Sequence, residues 1–324
     1  MNNEVTPVYI LSGFLGSGKT TLLSRMIAYG KEQGLKPAIV MNEIGEVNID
    51  GMIAGQEVPT AEMLSGCICC SIRADLTSEL ALLIQNEKPD VIVIEATGAA
   101  NPMEILDGVA EASLYIKIDV KNLITVVDSA HLLHLHAEQK GKTYRLMQEQ
   151  IRCASLLILN KIDRIHADEQ KDAANIVRGW NSFAPIIPAV RCDVDPVVLL
   201  EDRKVERTTD HHPESSCHKE HNHNHHSHDH VMSYTYYFKG PVNSHAFEAL
   251  ISELPRDIYR AKGILTFSDT ASRFLFQYAY RESDFMKINP QGKISDVVVF
   301  IGEHFNQSWI HERLLELDQE TETP

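Results

Sequence analysis

The chain lacks the features that would carry a protein into a membrane or onto a polyanion. No apolar run approaches the roughly 18 residues that a spanning helix needs, and the stretch beginning at Val8 stops at Ser12-Gly13. Basic residues are in deficit, with 30 Lys and Arg against 45 Asp and Glu and a net charge of −15 over 324 residues. Nucleic-acid binding draws its affinity from clustered Lys and Arg, so this balance argues against such a partner. The opening Met1-Asn-Asn-Glu-Val-Thr-Pro7 has neither the basic start nor the apolar core of a secretory leader. A soluble, cytoplasmic protein is expected. Cysteine is scarce too: of six, three are packed into Cys67-Ile-Cys69-Cys70. That is no spaced disulfide framework, and in a reducing compartment it reads as a metal or redox site.

What is present is a regular alternation. Val8–Ser12, Pro37–Met41, Val91–Ile94, Leu123–Val127, Leu156–Leu159 and Ile186–Ala189 are short, nearly continuous apolar runs. Such runs suit strands of a parallel sheet covered on both faces. Helical spacing fills the gaps, as in Thr20–Gln33 and Asp75–Gln85. The alternation predicts right-handed crossovers and a doubly wound, mostly parallel α/β domain over residues 1–202. Residues 203–231 lose their apolar content, and 203–230 hold nine of the sixteen histidines. This stretch cannot build a core and is expected to be a flexible linker. From Met232 the pattern returns with strands at Ser233–Phe238, Gly263–Ser268, Arg273–Tyr280 and Val297–Ile301, and helices at Pro241–Leu254 and Gln307–Leu317. A smaller α+β domain over 232–324, with helices on one face of its sheet, is expected.

The first strand runs into Gly13-Phe-Leu-Gly16-Ser17-Gly18-Lys19-Thr20-Thr21 and then a helix. Strand, glycine-rich turn and helix start together make a P-loop, in which backbone N–H groups cradle a β-phosphate. Lys19 is placed to reach the β- and γ-phosphates, and the Thr20 hydroxyl to ligate Mg²⁺. Asn160-Lys161-Ile-Asp163 follows another strand about 140 residues on. An aspartate there accepts from guanine N1 and the exocyclic amine together, which adenine cannot offer, so GTP is expected over ATP, with Lys161 over the base. The third apolar run ends in Glu95-Ala-Thr-Gly98, giving an acid for a Mg²⁺-bound water and a Gly98 N–H for the γ-phosphate. Between these loops lies Asn42-Glu43-Ile-Gly45-Glu46-Val-Asn-Ile-Asp50, with the place and polarity of a first switch. Glu43, Glu46 and Asp50 are candidate ligands of Mg²⁺ or of a second metal.

Thiolates are soft ligands, so Cys67, Cys69 and Cys70 favour Zn²⁺, Cu(I) or related ions over Mg²⁺. Glu43, Glu46 or an incoming group could complete the shell. His211, His212, His218, His221, His223, His225, His226, His228 and His230 form an auxiliary imidazole-rich segment able to bind Zn²⁺, Ni²⁺, Co²⁺ or Cu²⁺ loosely. Cys153 and Cys192 stand alone and read as core residues. His131, His134, His136, His166, His245, His304 and His311 are assigned no role.

Taken together, these phrases resemble the CobW-like GTPases, relatives of the urease and hydrogenase nickel-insertion GTPases. The likeness runs through Leu11–Thr21, Asn42-Glu-Ile-Gly-Glu-Val47, Gly66-Cys-Ile-Cys-Cys70, Glu95-Ala-Thr-Gly98, Asn160–Asp163, the His-rich linker, Arg260-Ala-Lys-Gly263 and Val299-Phe-Ile-Gly302. Many relatives carry Glu-Asn-Glu where this chain has Met41-Asn42-Glu43, so one acid is absent. The resemblance implies hydrolysis of GTP to GDP and phosphate, with Lys19, Thr20 and Glu95 as catalytic groups. It also implies transfer of zinc, cobalt or nickel from the three-cysteine site to a metalloprotein client. Expected partners are GTP, a transition metal, that client and a second copy of the chain in a homodimer, with neither nucleic acid nor membrane among them. Intrinsic turnover should be slow, because no arginine finger is evident. Two rival readings are a His-rich metal buffer with regulatory nucleotide binding and a small-molecule kinase on the same scaffold, the second disfavoured by Asn160–Asp163.

Overall fold

The structure is a computed structural model and describes residues 5–41, 58–62, 71–200, 231–270, 272–279, 281–290 and 294–320. Strands β1 (Thr6–Ser12), β2 (Pro37–Met41), β3 (Thr60–Glu62), β4 (Val91–Glu95), β5 (Ile118–Asp128), β6 (Leu156–Asn160) and β7 (Ile186–Pro188) form one sheet. Their spatial order is β3-β2-β4-β1-β5-β6-β7, and every pairing is parallel. Helices α1 (Lys19–Glu32), α2 (Ser71–Glu87), α3 (Pro102–Ala112), α4 (Ser129–Glu138), α5 (Gly141–Arg152), α6 (Ala167–Trp180) and α7 (Pro196–Leu200) cover it.

The strands read as unbroken apolar runs because both faces are buried. Val8, Ile10, Val40, Ile92 and Ile94 pack with residues of α2 to α6 on one face. Their neighbours Tyr9, Leu11, Ile39, Val91 and Val93 pack with Leu22, Leu23, Met26 and Ile27 of α1 and Leu199 of α7 on the other. A period of two thus serves two cores. Helix starts follow short polar caps: Asn101 accepts from Met103 N–H at 2.9 Å with Pro102 in the first turn, and Asp128 accepts from His131 N–H at 3.2 Å.

The second sheet is antiparallel, β11-β10-β9-β12-β8. It comprises β8 (Val231–Tyr237), β9 (Ile258–Phe267), β10 (Ser272–Ala279), β11 (Glu282–Ile288) and β12 (Val297–Glu303), with α8 (Ser244–Ser252) and α9 (Gln307–Glu320) on one face. That face is aromatic, with Phe247 edge-on to Phe276 at 5.1 Å between ring centroids. The opposite face lies against the first sheet's helices. Val298 and Phe300 of β12 join the aromatic core, while Val299 and Ile301 join the core of the first sheet. On β9, Arg260 pairs with Asp107 of α3 at 2.5 Å, and Lys262 pairs with Glu111 of the same helix. The Tyr237 hydroxyl accepts from Ile118 N–H at 3.0 Å and sits 3.0 Å from the carbonyls of Ile116 and Ile118.

Some elements differ from expectation. β5 begins at Ile118 and β9 at Ile258, each several residues before its apolar run, because backbone pairing extends past the side chains that mark the core. The charged β11 was not expected at all. It is an edge strand held by its register with β10, Phe276 opposite Phe285, and charge on an edge discourages further pairing. β3 has three residues, too few for a period to show. Helix α8 starts at Ser244 rather than Pro241, after its cap Asn243, which accepts from Ala246 N–H at 3.0 Å.

Candidate nucleotide site

Four strands end in polar residues at the same edge of the sheet: Ser12, Glu95, Asp128 and Asn160 terminate β1, β4, β5 and β6. In a doubly wound sheet this carboxyl edge is where ligands bind. The loop after β1 turns on three left-handed glycines, Gly13 (φ 132°), Gly16 (φ 73°) and Gly18 (φ 117°). Two of them are also crowded. A Cβ on Gly13 would lie 2.2 Å from the Val126 carbonyl, and one on Gly18 would lie 2.5 Å from Asn160 Nδ2. Glycine is therefore required here for both conformation and space.

Lys19 opens α1 and is only 6% exposed. Its ammonium donates to the carbonyls of Gly13 at 2.9 Å and Phe14 at 3.4 Å, which holds a buried positive charge across the loop. The next residue, Thr20, donates its hydroxyl to Glu95 Oε1 at 2.8 Å across 75 positions of sequence. Thr21 is exposed and Ser17 is buried. Gly98 lies beyond Glu95 against the loop tip, where a Cβ would stand 2.5 Å from Leu15 N. The structure thus brings Gly13, Gly16, Ser17, Gly18, Lys19, Thr20, Glu95 and Gly98 together.

The Asn160–Asp163 phrase reaches the same place. Asn160 Nδ2 donates to the Ser17 carbonyl at 2.7 Å, and its Oδ1 accepts from Cys192 N–H at 2.8 Å. Lys161, in the left-handed region at φ 60°, donates to the Gly16 carbonyl at 2.7 Å and to Asp128 Oδ2 at 2.6 Å. Asp163 follows on a one-turn helix, Ile162–Arg164, and is exposed. Cys67, Cys69, Cys70, Glu43, Glu46, Asp50 and the histidines His211 to His230 lie outside the described residues. Among the described residues, no group of three His, Cys, Asp or Glu could hold a metal ion.

Four residues here make contacts that escaped the sequence reading. Asp128, the partner of Lys161, stands at a strand end as Glu95 and Asn160 do, and the register places it beside Asn160; that position was the available signal. Cys192 is a core residue as expected, but its thiol also donates to the Gly18 carbonyl at 3.3 Å. Burial pushes its pKa from 9.0 up to about 11, against a smaller opposing pull from Arg25 and Lys161. Gln150 is 1% exposed on α5 and donates to the carbonyls of Gly98 at 3.2 Å and Ala100 at 3.3 Å. Its spacing from the buried Met147 placed it on the apolar face. His131, assigned no role, stacks on Phe14 of the loop at 5.4 Å between ring centroids.

The profile of the CobW/HypB/UreG nucleotide-binding domain matches residues 7–188, and that of the CobW C-terminal domain matches residues 231–317. This chain belongs to the CobW/HypB/UreG family. Two of its relatives, one from Dictyostelium discoideum and one from Escherichia coli, carry GTPase in their names, and the chain is a GTP-hydrolysing enzyme of that family. It is 28% identical over 315 residues to the zinc chaperone YjiA of Escherichia coli, covering 91% of this chain and 93% of the relative. It is 30% identical over 303 residues to the zinc chaperone CobW of Pseudomonas aeruginosa, covering 84% of this chain and 80% of that protein. The zinc-regulated GTPase metalloprotein activator 1 of Dictyostelium discoideum is 30% identical over 222 residues, 57% of this chain, but the match spans only 46% of that longer protein. The crystal structure of Zn(II)-bound YjiA GTPase from E. coli aligns over 97% of this chain and 99% of that one, at 22% identity and a TM-score of 0.47. Among the described residues no helix is long and apolar enough to cross a membrane.

Proposed function

We propose that this chain is a GTP-dependent metallochaperone, in which GTP turnover at the Gly13–Thr20 loop governs a soft-metal site made by Cys67, Cys69 and Cys70 and releases zinc to a client protein. The observation that carries the reading is the convergence of the Gly13–Thr20, Glu95–Gly98 and Asn160–Asp163 phrases on one sheet edge, joined by the Thr20–Glu95 and Asn160–Ser17 hydrogen bonds. Support for zinc as the cargo comes from the names of the relatives and from the thiol-rich phrase in the sequence. We take residues 1–202 and 232–324 as the two domains, with 203–231 as the linker that gathers metal.

In this reading the loop's backbone N–H groups and Lys19 hold the β- and γ-phosphates, the Lys19 ammonium exchanging carbonyl partners for phosphate oxygens. Thr20 Oγ1 and the Glu95 carboxylate, 2.8 Å apart, form the pair of hard oxygen donors that Mg²⁺ prefers. Bound there, Mg²⁺ would neutralise charge on the β- and γ-phosphates. Gly98 N–H addresses the γ-phosphate, and Asp163 accepts from the guanine edge with Lys161 over the ring. Asn160 braces the loop from below through Ser17 and Cys192, and its amide keeps a second N–H and a second acceptor lone pair with which to meet the base. The reading is tested with a Cys67, Cys69, Cys70 triple-alanine variant, comparing zinc affinity in GDP and in a non-hydrolysable GTP analogue. Wild type should change zinc affinity with nucleotide and the variant should not. An equal nucleotide effect in both chains would sink the coupling.

A second reading rests on the nine histidines of residues 203–230, which suit a metal buffer. Removing residues 207–230 separates the two, since a buffer loses most of its zinc capacity whereas a chaperone keeps one tight site and its turnover.

A further inference from the structure

Gln150 is a primary amide sealed in an apolar core. Its neighbours on α5, Tyr144, Met147 and Ile151, are buried, and so is Gln150 itself, at 1% exposure. Such a group is tolerated when its polar atoms have work to do. Both donor contacts run to one loop: Nε2 bonds the carbonyls of Gly98 and Ala100, the stretch between Glu95 and the cap of α3. Turning the amide over would set Oε1 against those two carbonyl oxygens, so its orientation is fixed by its partners. Oε1 has no hydrogen-bond partner among the described residues. On its other side the loop abuts the P-loop tip, where Gly98 leaves no space for even a methyl group beside Leu15.

We propose that Gln150 is a positioning residue for GTP recognition and hydrolysis: it holds the Gly98–Ala100 backbone so that Gly98 N–H faces the γ-phosphate, and so sets the preference for GTP over GDP. The proposal rests on Gly98 being the γ-phosphate contact. The side chain must be long, carry two N–H donors and be neutral. Leucine or methionine lacks the donors, glutamate replaces them with repelling oxygens, and lysine buries a charge.

The test measures affinity for GDP and for a non-hydrolysable GTP analogue with Mg²⁺, together with kcat, in Q150M, Q150E and G98A. Gln150→Met should keep GDP affinity within about twofold, while analogue affinity and kcat fall roughly ten- to hundredfold, as expected when a backbone donor is misplaced by a fraction of an ångström. Gln150→Glu should lose more. Wild-type discrimination and turnover in Q150M would overturn the proposal, and so would an equal loss of GDP and analogue, which would mark a purely structural role. If G98A retains discrimination, it is the reading of Gly98 that fails. Should the Gln150 variants not fold, the wild-type chain still decides: its Gln150 side-chain amide resonance must shift between the GDP and analogue complexes, and an unmoved signal refutes the proposal.

Discussion

At the residue scale, Cys192 shows how a side chain can be close to the chemistry and still inert. Its thiol is buried, hydrogen-bonded to the Gly18 carbonyl, and pushed up to about pKa 11 by burial. The thiolate is the nucleophile, so Cys192 should resist alkylation near neutral pH. We expect iodoacetamide at pH 8 to leave the Cys192 peptide unmodified in the native protein and to modify it after denaturation, as read by peptide mass mapping. The same shift sets a stability window. The native state holds the thiol proton more tightly than the unfolded chain, so the contribution is whole below pH 9.0 and is lost as pH rises toward about 11. Cys192→Ala should flatten that part of the pH–stability curve. A single cysteine in a sequence carries no mark of these neighbours, which is why only its burial was foreseen.

At the scale of elements, α3 is tied at both ends. Its amino-terminal approach contains Gly98 and Ala100, held by Gln150, while its body carries Asp107 and Glu111 against Arg260 and Lys262 of β9. Residues 260 and 262 point the same way because a strand alternates, and 107 and 111 share a helix face because they are four apart. The Lys262 side chain is 8% exposed and that of Glu111 32%, so removing the ammonium strands a half-buried carboxylate. Lys262→Met should cost about 1–3 kcal/mol in urea unfolding, whereas adding Glu111→Leu should recover part of that loss. Simple additivity of the two single changes would show that the pair is not coupled. The Arg260-Ala-Lys-Gly263 phrase was legible as a family mark. Its partners were not, because they lie some 150 positions away.

At the scale of the whole molecule, the second sheet is seated through tyrosines. Burial raises the phenols of Tyr237 and Tyr259, which face the first sheet's helices and loops, and it raises Tyr236 and pushes Tyr234 up to about 12 beside α9. Asp119 adds to the shift of Tyr234 and Tyr237, and Asp318 to that of Tyr236. Unfolded tyrosine ionises near 10.0, while these phenols keep their protons. Their stabilisation is therefore complete below pH 10 and declines as pH rises past it. In an alkaline titration we expect part of the tyrosinate absorbance to emerge together with the loss of circular dichroism; complete tyrosine ionisation before any unfolding would refute this. Tyr237→Phe should cost about 1–2 kcal/mol at neutral pH through its lost hydrogen bonds to the Ile116–Ile118 segment.

Local chemistry determined what the sequence alone could reveal. Unbroken apolar runs marked buried parallel strands, and glycine spacing followed by Lys19-Thr20 marked a phosphate loop, since both properties are carried by neighbouring residues. The tertiary structure decided what depends on distant partners. It set the full length of β5 and β9 and the existence of the charged edge β11, which follow from backbone pairing. It made Asn160 a brace beneath Ser17, placed Asp128 on Lys161, and laid the Gln150 amide on the loop that follows Glu95. A hydrogen bond closed over 50 or 140 positions leaves no period or spacing behind, so only the packed sheet could show it.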